Sequence, residues 1–227
     1  MTVSAVIFDW GGTLTTWHTV DHDELWRAVC APHYDGAALA DTAAVLRSAE
    51  NDLWGISESE QRSATLADVF SRAGVAATPA LLDGYFRAWE PHTLTDPDAA
   101  GVMRELRRRG IKVGVLSNTL WPRARHEQIF ARDGLLDLID GAVYSSEIPW
   151  TKPHPEAFGA AMAAVGARRP QDCVYVGDRP FDDVHGAHAA GMRTVLIPHS
   201  DVPPFDEAVP DAVIERLADL IPLIDRW

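Results

Sequence analysis

Four groups of polar residues, each following a short apolar run, carry the side chains that could do chemistry. Asp9 closes the run Val3–Phe8 and is followed by Gly11-Gly12. Ser117-Asn118 closes Ile111–Leu116, and Lys152 lies in the loop after Ala142–Tyr144. Gly177-Asp178 closes Cys173–Val176, with Asp182 and Asp183 just beyond. The set collects carboxylates, a hydroxyl and an ammonium. Carboxylates without histidine or cysteine partners suit a hard cation such as Mg²⁺, which takes oxygen ligands. A lysine beside them suits a transferring phosphoryl group, where fixed positive charge meets developing negative charge.

These groups can meet only if the apolar runs are neighbouring strands. The runs are short, rich in β-branched residues and bounded by turn signals; two more occur at Thr194–Ile197 and Ala212–Ile214. Helical patterns at about 98–109, 121–133, 155–165, 181–190 and 215–224 fall between or after them. Strands alternating with helices predict a parallel sheet covered on both faces. Ligands of such a sheet bind beyond the carboxyl ends of its strands, where the polar groups lie. The rhythm breaks from about 16 to 91, where four helical stretches are predicted near 21–31, 36–53, 58–73 and 78–90. Ser57-x-x-Glu60 fits a capping box for the third, and Gly74 its stop. Thr78-Pro79 fits the start of the fourth. The predicted architecture is α/β: a three-layer, Rossmann-like parallel sheet core, residues 1–15 and 92–227, with an inserted all-helical domain at 16–91. Thr15–Val20 and Pro91–Pro97 are the linkers.

The order and spacing of the motifs resemble the haloacid dehalogenase (HAD) superfamily. The resemblance rests on Phe8-Asp9-Trp10-Gly11-Gly12-Thr13-Leu14, Leu116-Ser117-Asn118, Lys152-Pro153-His154-Pro155 and Gly177-Asp178-Arg179-Pro180-Phe181-Asp182-Asp183. The last runs on into Gly186-Ala187 and Ala190-Gly191-Met192. It spans the whole chain, since the insert matches the family's helical, C1-type cap. The resemblance implies a phosphatase-like hydrolase of a small phosphorylated metabolite, with Mg²⁺ as cofactor. It makes Asp9 the nucleophile that accepts the phosphoryl group as an aspartyl phosphate. Ser117 and Lys152 then hold the phosphoryl oxygens. Asp9, Asp178 and the Gly11 backbone carbonyl become metal ligands, with Asp183 as ligand or support; Asp182 could share that part. Gly12, Thr13, Asn118, Trp10 and His18, from their places beside these motifs, are the expected substrate contacts.

One position departs from the pattern. Phosphatases of the family carry a second aspartate two residues after the nucleophile, as acid and base; here it is Gly11. General acid–base catalysis contributes about 10²–10⁴-fold, tolerable to lose with a good leaving group and serious with an alkoxide. Three readings stay open: a phosphatase whose acid lies elsewhere or whose substrate needs none; dehalogenase- or phosphonatase-like chemistry; or a catalytically weak or inactive phosphate-binding member. Dehalogenases use no metal, whereas Gly177-Asp178 matches the metal-binding form. The phosphonatase uses a cap lysine, and residues 16–91 contain none. His18 and His22, four apart, are candidate replacement acids that would share a face if that stretch were helical.

Trp10, Trp17, Trp121 and Trp150 lie within a few residues of the first three motifs. They are expected either to wall the crevice around an aromatic or bulky leaving group or to pack core and cap contacts. Arg123 and Arg125 read as solvated helix residues or anion contacts, Arg179 as a partner of a metal carboxylate or an anion contact, and His154 as a shaper of the lysine loop.

Composition narrows the classes. In 227 residues, 33 Asp and Glu against 20 Lys and Arg give a net charge of −13. That charge repels a phosphodiester backbone, so nucleic acid is not an expected partner. The densest basic run, Arg107-Arg108-Arg109, reads as a helix end. No apolar stretch reaches the roughly 20 residues of a membrane helix, and no membrane partner is expected. Met1-Thr2-Val3-Ser4 has no basic leader character, so the expected compartment is the cytoplasm. Cys30 and Cys173 imply neither a disulfide framework nor a zinc site. Monomer and homodimer both remain open.

Overall fold

The computed structural model describes residues 3–199 and 202–227. Six strands form one parallel sheet: β1 (Ala5–Phe8), β2 (Lys112–Ser117), β3 (Gly141–Tyr144), β4 (Cys173–Gly177), β5 (Arg193–Leu196) and β6 (Ala212–Val213). Their order is β3-β2-β1-β4-β5-β6. The chain builds outward from β1 to β3, then crosses back to lay β4 on the other side of β1. The β1–β4 boundary is therefore the topological switch point, where a crevice opens beyond the strand ends.

The first four helices after β1 are α1 (His22–Cys30), α2 (Gly36–Glu60), α3 (Leu66–Ala73) and α4 (Pro79–Trp89). Asp21 caps α1, its Oδ1 accepting the N–H groups of Asp23 and Glu24 at 3.0 Å each. Thr78 caps α4, with Pro79 at the first helical position as expected. The third helix differs from its sequence signal. Helix α2 runs through Ser57 and Glu60 and ends at Gln61, whose φ of 55° lies in the left-handed region. The capping box is Thr65 with Asp68, at the start of α3. The reason is tertiary. Ser57 is buried and donates to Thr151 Oγ1 at 3.1 Å instead of capping a helix. The segment after Gln61 pairs with the loop before Lys152: Thr151 donates to Gln61 O at 2.9 Å, and Ser63 to Pro149 O at 3.1 Å. That pairing takes the backbone groups a continuous third helix would have used.

The later helices are α5 (Ala99–Arg108), α6 (Arg123–Arg132), α7 (Pro155–Ala164), α8 (Gly186–Ala189) and α9 (Leu220–Ile224). A wide turn of π-helix, Pro180–His185, leads into α8. The strands read as unbroken apolar runs because both faces are covered. Val6 and Phe8 of β1 join Val102, Met103 and Leu106 of α5, and Phe130 of α6, in one cluster. Ala5 and Ile7 point the other way, to Ala157, Phe158 and Ala161 of α7. The first cluster continues through Trp10, Leu14 and Trp121 into Trp26, Phe70 and Tyr85 of the insert. The two linkers lie side by side, with Thr15 bridged to Thr95 and Asp96 donating to Leu14 O at 2.8 Å. Among the described residues, no helix is long and apolar enough to cross a membrane.

Candidate active site

Register brings the polar groups together. Phe8 is level with Val115 of β2 and Val176 of β4. Asp9 therefore emerges beside Leu116 and Gly177, with Ser117 and Asp178 one residue further on. Asp9, Ser117, Lys152, Asp178 and Asp183 are all buried. A buried carboxylate needs partners, and Asp183 has them on both oxygens. Its Oδ1 accepts from Lys152 Nζ at 2.6 Å. Its Oδ2 accepts the backbone N–H groups of Asp178 at 3.0 Å and Arg179 at 2.9 Å. Gly177 makes this possible, because a Cβ there would lie 2.3 Å from the Asp183 carboxyl carbon. Lys152 Nζ also donates to Asp9 Oδ1 at 2.6 Å. One ammonium thus joins the residue after β1 to the residue that braces the loop after β4.

The electrostatics leave room for a cation. Burial, and then Asp183, push the Asp9 carboxyl above its usual range, against the pull of Lys152. Asp178 is pushed up to about 8 by burial and by Asp9 and Asp183. Burial works against the Lys152 charge, but Asp183 and Asp9 outweigh it and hold the ammonium well above its ordinary value. One oxygen from each of Asp9, Asp178 and Asp183 lies within 4.8 Å of the others. Asp178 Oδ2 is buried without a hydrogen-bond partner. An orphaned carboxylate oxygen in an oxygen-rich cluster fits a hard divalent cation. Asp183, with both oxygens engaged, fits the supporting place better than the coordinating one.

The remaining expected site residues divide. Gly12 has φ +80°, and a Cβ there would meet Asp178 Oδ2 at 2.8 Å. Its carbonyl accepts from His199 Nε2 at 2.7 Å. Thr13 is buried beneath the cavity, its hydroxyl 3.5 Å from Asp178 Oδ1, and does not line the open space. Asn118 clamps the lysine loop: its Nδ2 donates to Lys152 O at 3.0 Å and its Oδ1 accepts from Lys152 N at 2.8 Å. Its amide is thus spent on the backbone that carries the lysine.

A cavity of about 500 Å³ lies over the strand ends, lined below by Asp9, Gly11, Ser117, Lys152, Arg179 and Asp182. The insert and its linkers supply the other wall. His18 and His22 both line it but share no helical face, because His18 sits in the extended linker before α1. His18 Nε2 bonds His92 Nδ1 across the two linkers, while His22 Nδ1 bonds Glu50 Oε2 at 3.0 Å. Burial, then His18 and His22, push His92 below its ordinary value. Trp10, Trp17 and Trp121 line the cavity as one of the two expectations had it. Trp150 does not: it stacks on His154 at 4.0 Å, and His154 caps α7 by accepting from Glu156 N. Arg123 is drawn to Glu147 and Ala142 O, and Arg125 to Phe86 O, so neither reaches the cavity.

The family model described as haloacid dehalogenase-like hydrolase matches residues 3–191. The chain belongs to this family. A glyceraldehyde 3-phosphate phosphatase from Methanopyrus kandleri is 33% identical over 162 residues, 70% of this chain and 66% of its own length. Less than two thirds of that relative's length is therefore matched. A HAD phosphatase from Thermococcus onnurineus has the same fold, with TM-score 0.70, 22% identity and 97% of both chains covered. So has the L-2-haloacid dehalogenase of Xanthobacter autotrophicus, with TM-score 0.68, 21% identity and 99% of both chains covered. The fold alone therefore does not choose between phosphoryl and halide chemistry in this HAD hydrolase; its site must.

Sequence reasoning missed the insert wall of the HAD hydrolase. Glu50 is 1% exposed and lines the cavity. Its Oε2 accepts from Trp26 Nε1 at 3.0 Å, His22 Nδ1 at 3.0 Å and Arg47 Nη1 at 3.3 Å. One signal existed: Glu50 falls on the buried stripe Ala43, Leu46, Glu50, Ser57 of α2, where a carboxylate needs a reason. Trp54, Trp89 and His92 also line the cavity, and nothing in their sequence spacing announced it. His126 is likewise buried, with its pKa lowered to about 3 by burial and then by Arg123 and Arg125. It packs edge-on to Trp10 at 4.6 Å and flat on Tyr144 at 4.4 Å.

Proposed function

We propose that this HAD hydrolase is a Mg²⁺-dependent phosphatase of a small organic phosphate, working through an aspartyl phosphate at Asp9. The observation that carries the reading is the pairing of a lysine-bound Asp9 with Asp178, whose Oδ2 is buried and unpartnered. A metal-free dehalogenase has no use for that oxygen, and it would be costly to bury. The Methanopyrus relative's name speaks of a small phosphorylated compound, and a cavity of about 500 Å³ accepts one.

Asp9, Asp178 and the Gly11 carbonyl would hold the cation, with Asp183 braced behind them. When bound, Mg²⁺ neutralises phosphoryl oxygens and polarises the phosphorus. Asp9 then attacks phosphorus with the carboxylate oxygen that Lys152 leaves uncovered. Lys152 and Ser117 take the phosphoryl oxygens, so that positioning and fixed charge do most of the work. Asn118 holds the Lys152 backbone, and Asp183 holds its ammonium at the right height. Residues 16–91 act as a cap on the core formed by 1–15 and 92–227. The paired linkers serve as the hinge, and closure excludes bulk water.

The test is phosphate release from an aryl, an alkyl and an acyl phosphate, with Mg²⁺ and with chelator, beside Asp9→Asn. Release that needs both the metal and Asp9 is the expected result. Release untouched by Asp9→Asn, or no release from any of the three, overturns the reading.

A further inference from the structure

We infer that the substrate is a phosphate monoester of a phenol or another flat aromatic alcohol with a low pKa. This rests on the phosphatase reading with Asp9 as nucleophile, and two separate features of the cavity lead to it.

The first is the floor at Gly11. It is exposed and lines the cavity, and a Cβ built on it would meet no atom within 4 Å. No neighbouring side chain has moved into the space an acid at this position would use. One ring nitrogen of each nearby histidine is engaged, His18 Nε2 with His92 and His22 Nδ1 with Glu50. A leaving group of this enzyme therefore departs without a proton donor at position 11. A phenol, with a pKa near 10, can leave as its anion. An alkoxide loses the full contribution of the missing acid, about 10²–10⁴-fold.

The second is the wall. Trp10, Trp121 and Tyr85 form a packed backing: the Trp10 and Trp121 rings lie 5.4 Å apart, and Trp121 Nε1 donates to Tyr85 OH at 3.1 Å. In front of them Trp17, Trp54 and Trp89 line the same space and are only partly buried. Trp17 comes from the linker, Trp54 from α2 and Trp89 from α4. Indole rings brought to one cavity from three segments of the chain favour a flat aromatic body, which covers more of their apolar surface than a small polyol does.

The reaction balances without an acid at position 11. An Asp9 oxygen forms a bond to phosphorus, the bond from phosphorus to the aryl oxygen breaks, and its electron pair leaves on the phenolate. The phenolate takes a proton from solvent. Water then attacks the aspartyl phosphate, the bond from phosphorus to the Asp9 oxygen breaks with its pair returning to Asp9, and the proton of water passes to solvent or phosphate. The second step also lacks a base at position 11. Aryl esters therefore load the enzyme faster than water unloads it, and phenol appears in a burst of about one per active site.

The experiment measures kcat/KM for phenyl phosphates of graded leaving-group pKa and for an alkyl phosphate, with Mg²⁺, in the wild type, Gly11→Asp and Trp54→Leu. In the wild type the aryl esters are expected to exceed the alkyl ester by 10²-fold or more. Gly11→Asp, which projects into open space, is expected to narrow that gap and abolish the burst. Trp54→Leu is expected to raise KM for the aryl ester about fivefold or more. Alkyl and aryl turnover within a few-fold of each other in the wild type would mean that another group, Asp182 or the histidine pair, supplies the proton. That result overturns the substrate class and leaves the phosphatase reading standing. A KM unmoved by Trp54→Leu also overturns it. No phosphate from any ester, or aryl turnover that survives Asp9→Asn, overturns the phosphatase reading and this inference with it.

Discussion

Two buried carboxylates support the cavity from its two sides, Glu50 lining it and Asp183 bracing Lys152, and they are held in different ways. Asp183, under the strand ends, takes two backbone N–H groups on one oxygen and the Lys152 ammonium on the other. Glu50, in the insert, takes three side chains on a single oxygen, from α1 and from its own helix. The first arrangement is tied to the main chain of one short loop, so its position follows from local sequence. The second depends on side chains whose meeting is set by how α1 packs on α2. The strand-end side is therefore the rigid side where chemistry can be placed. The insert side can vary without disturbing it, as expected of a specificity wall.

Substitutions can break that comparison. The largest effect is expected from Lys152→Met, which should lower turnover of every ester by about 10³-fold or more. It should also cost about 3–5 kcal/mol in metal-free buffer, because Asp9 and Asp183 stay buried without their cation. Urea melts of the two proteins, beside phosphate release, check both parts. A variant as stable as the wild type would show that the strand-end cluster is not held by this ion pair.

Glu50→Leu strands the Trp26, His22 and Arg47 donors and is expected to cost about 1–3 kcal/mol. Unlike Lys152→Met, it should raise KM more than it lowers kcat. Equal loss in both parameters would mean that the insert wall reaches the chemistry, and the contrast would fail.

Behind Trp10 and Trp121, His126 makes the stability of the strand-end region depend on pH. Its folded pKa of about 3 lies below the ordinary 6.5, so the unfolded chain takes up the proton first as the pH falls. The ring is neutral in both the folded and the unfolded chain above about pH 6.5, and stability drops by about 1.4 kcal/mol per pH unit from there toward 3. Melts of the wild type and His126→Gln at pH 7.5, 5.5 and 4.5 should converge as the pH falls. Parallel curves would show that the ring protonates in the folded state.

The smallest effect belongs to Thr65→Ala. Loss of the α3 capping box should cost about 1 kcal/mol, read as a shift in the urea midpoint with kcat unchanged. A drop in kcat would tie the pairing of the α2–α3 link with the Lys152 loop to the chemistry.

The sequence by itself determined the parts governed by short-range periodicity and by residues at strand ends. Six apolar runs separated by helical patterns specify a parallel sheet, because buried strands leave continuous apolar signatures. Asp9, Ser117 and Asp178 were legible because the strand register puts successive strand ends at one level. Asn118 was legible as a residue near the site, but not as the clamp of the Lys152 backbone, since that bond spans 34 residues. The tertiary structure alone decided where α2 stops. A local capping signal at Ser57 lost to the pairing of the segment after Gln61 with the lysine loop. It alone sorted the tryptophans, sending Trp150 to His154 and bringing Trp54 and Trp89 to the cavity. It also turned Glu50 from one acidic residue among many into a buried acceptor. These outcomes depend on which helix faces meet across tens of residues. A 3.6-residue period fixes the face a helix buries, but not the partner it finds there.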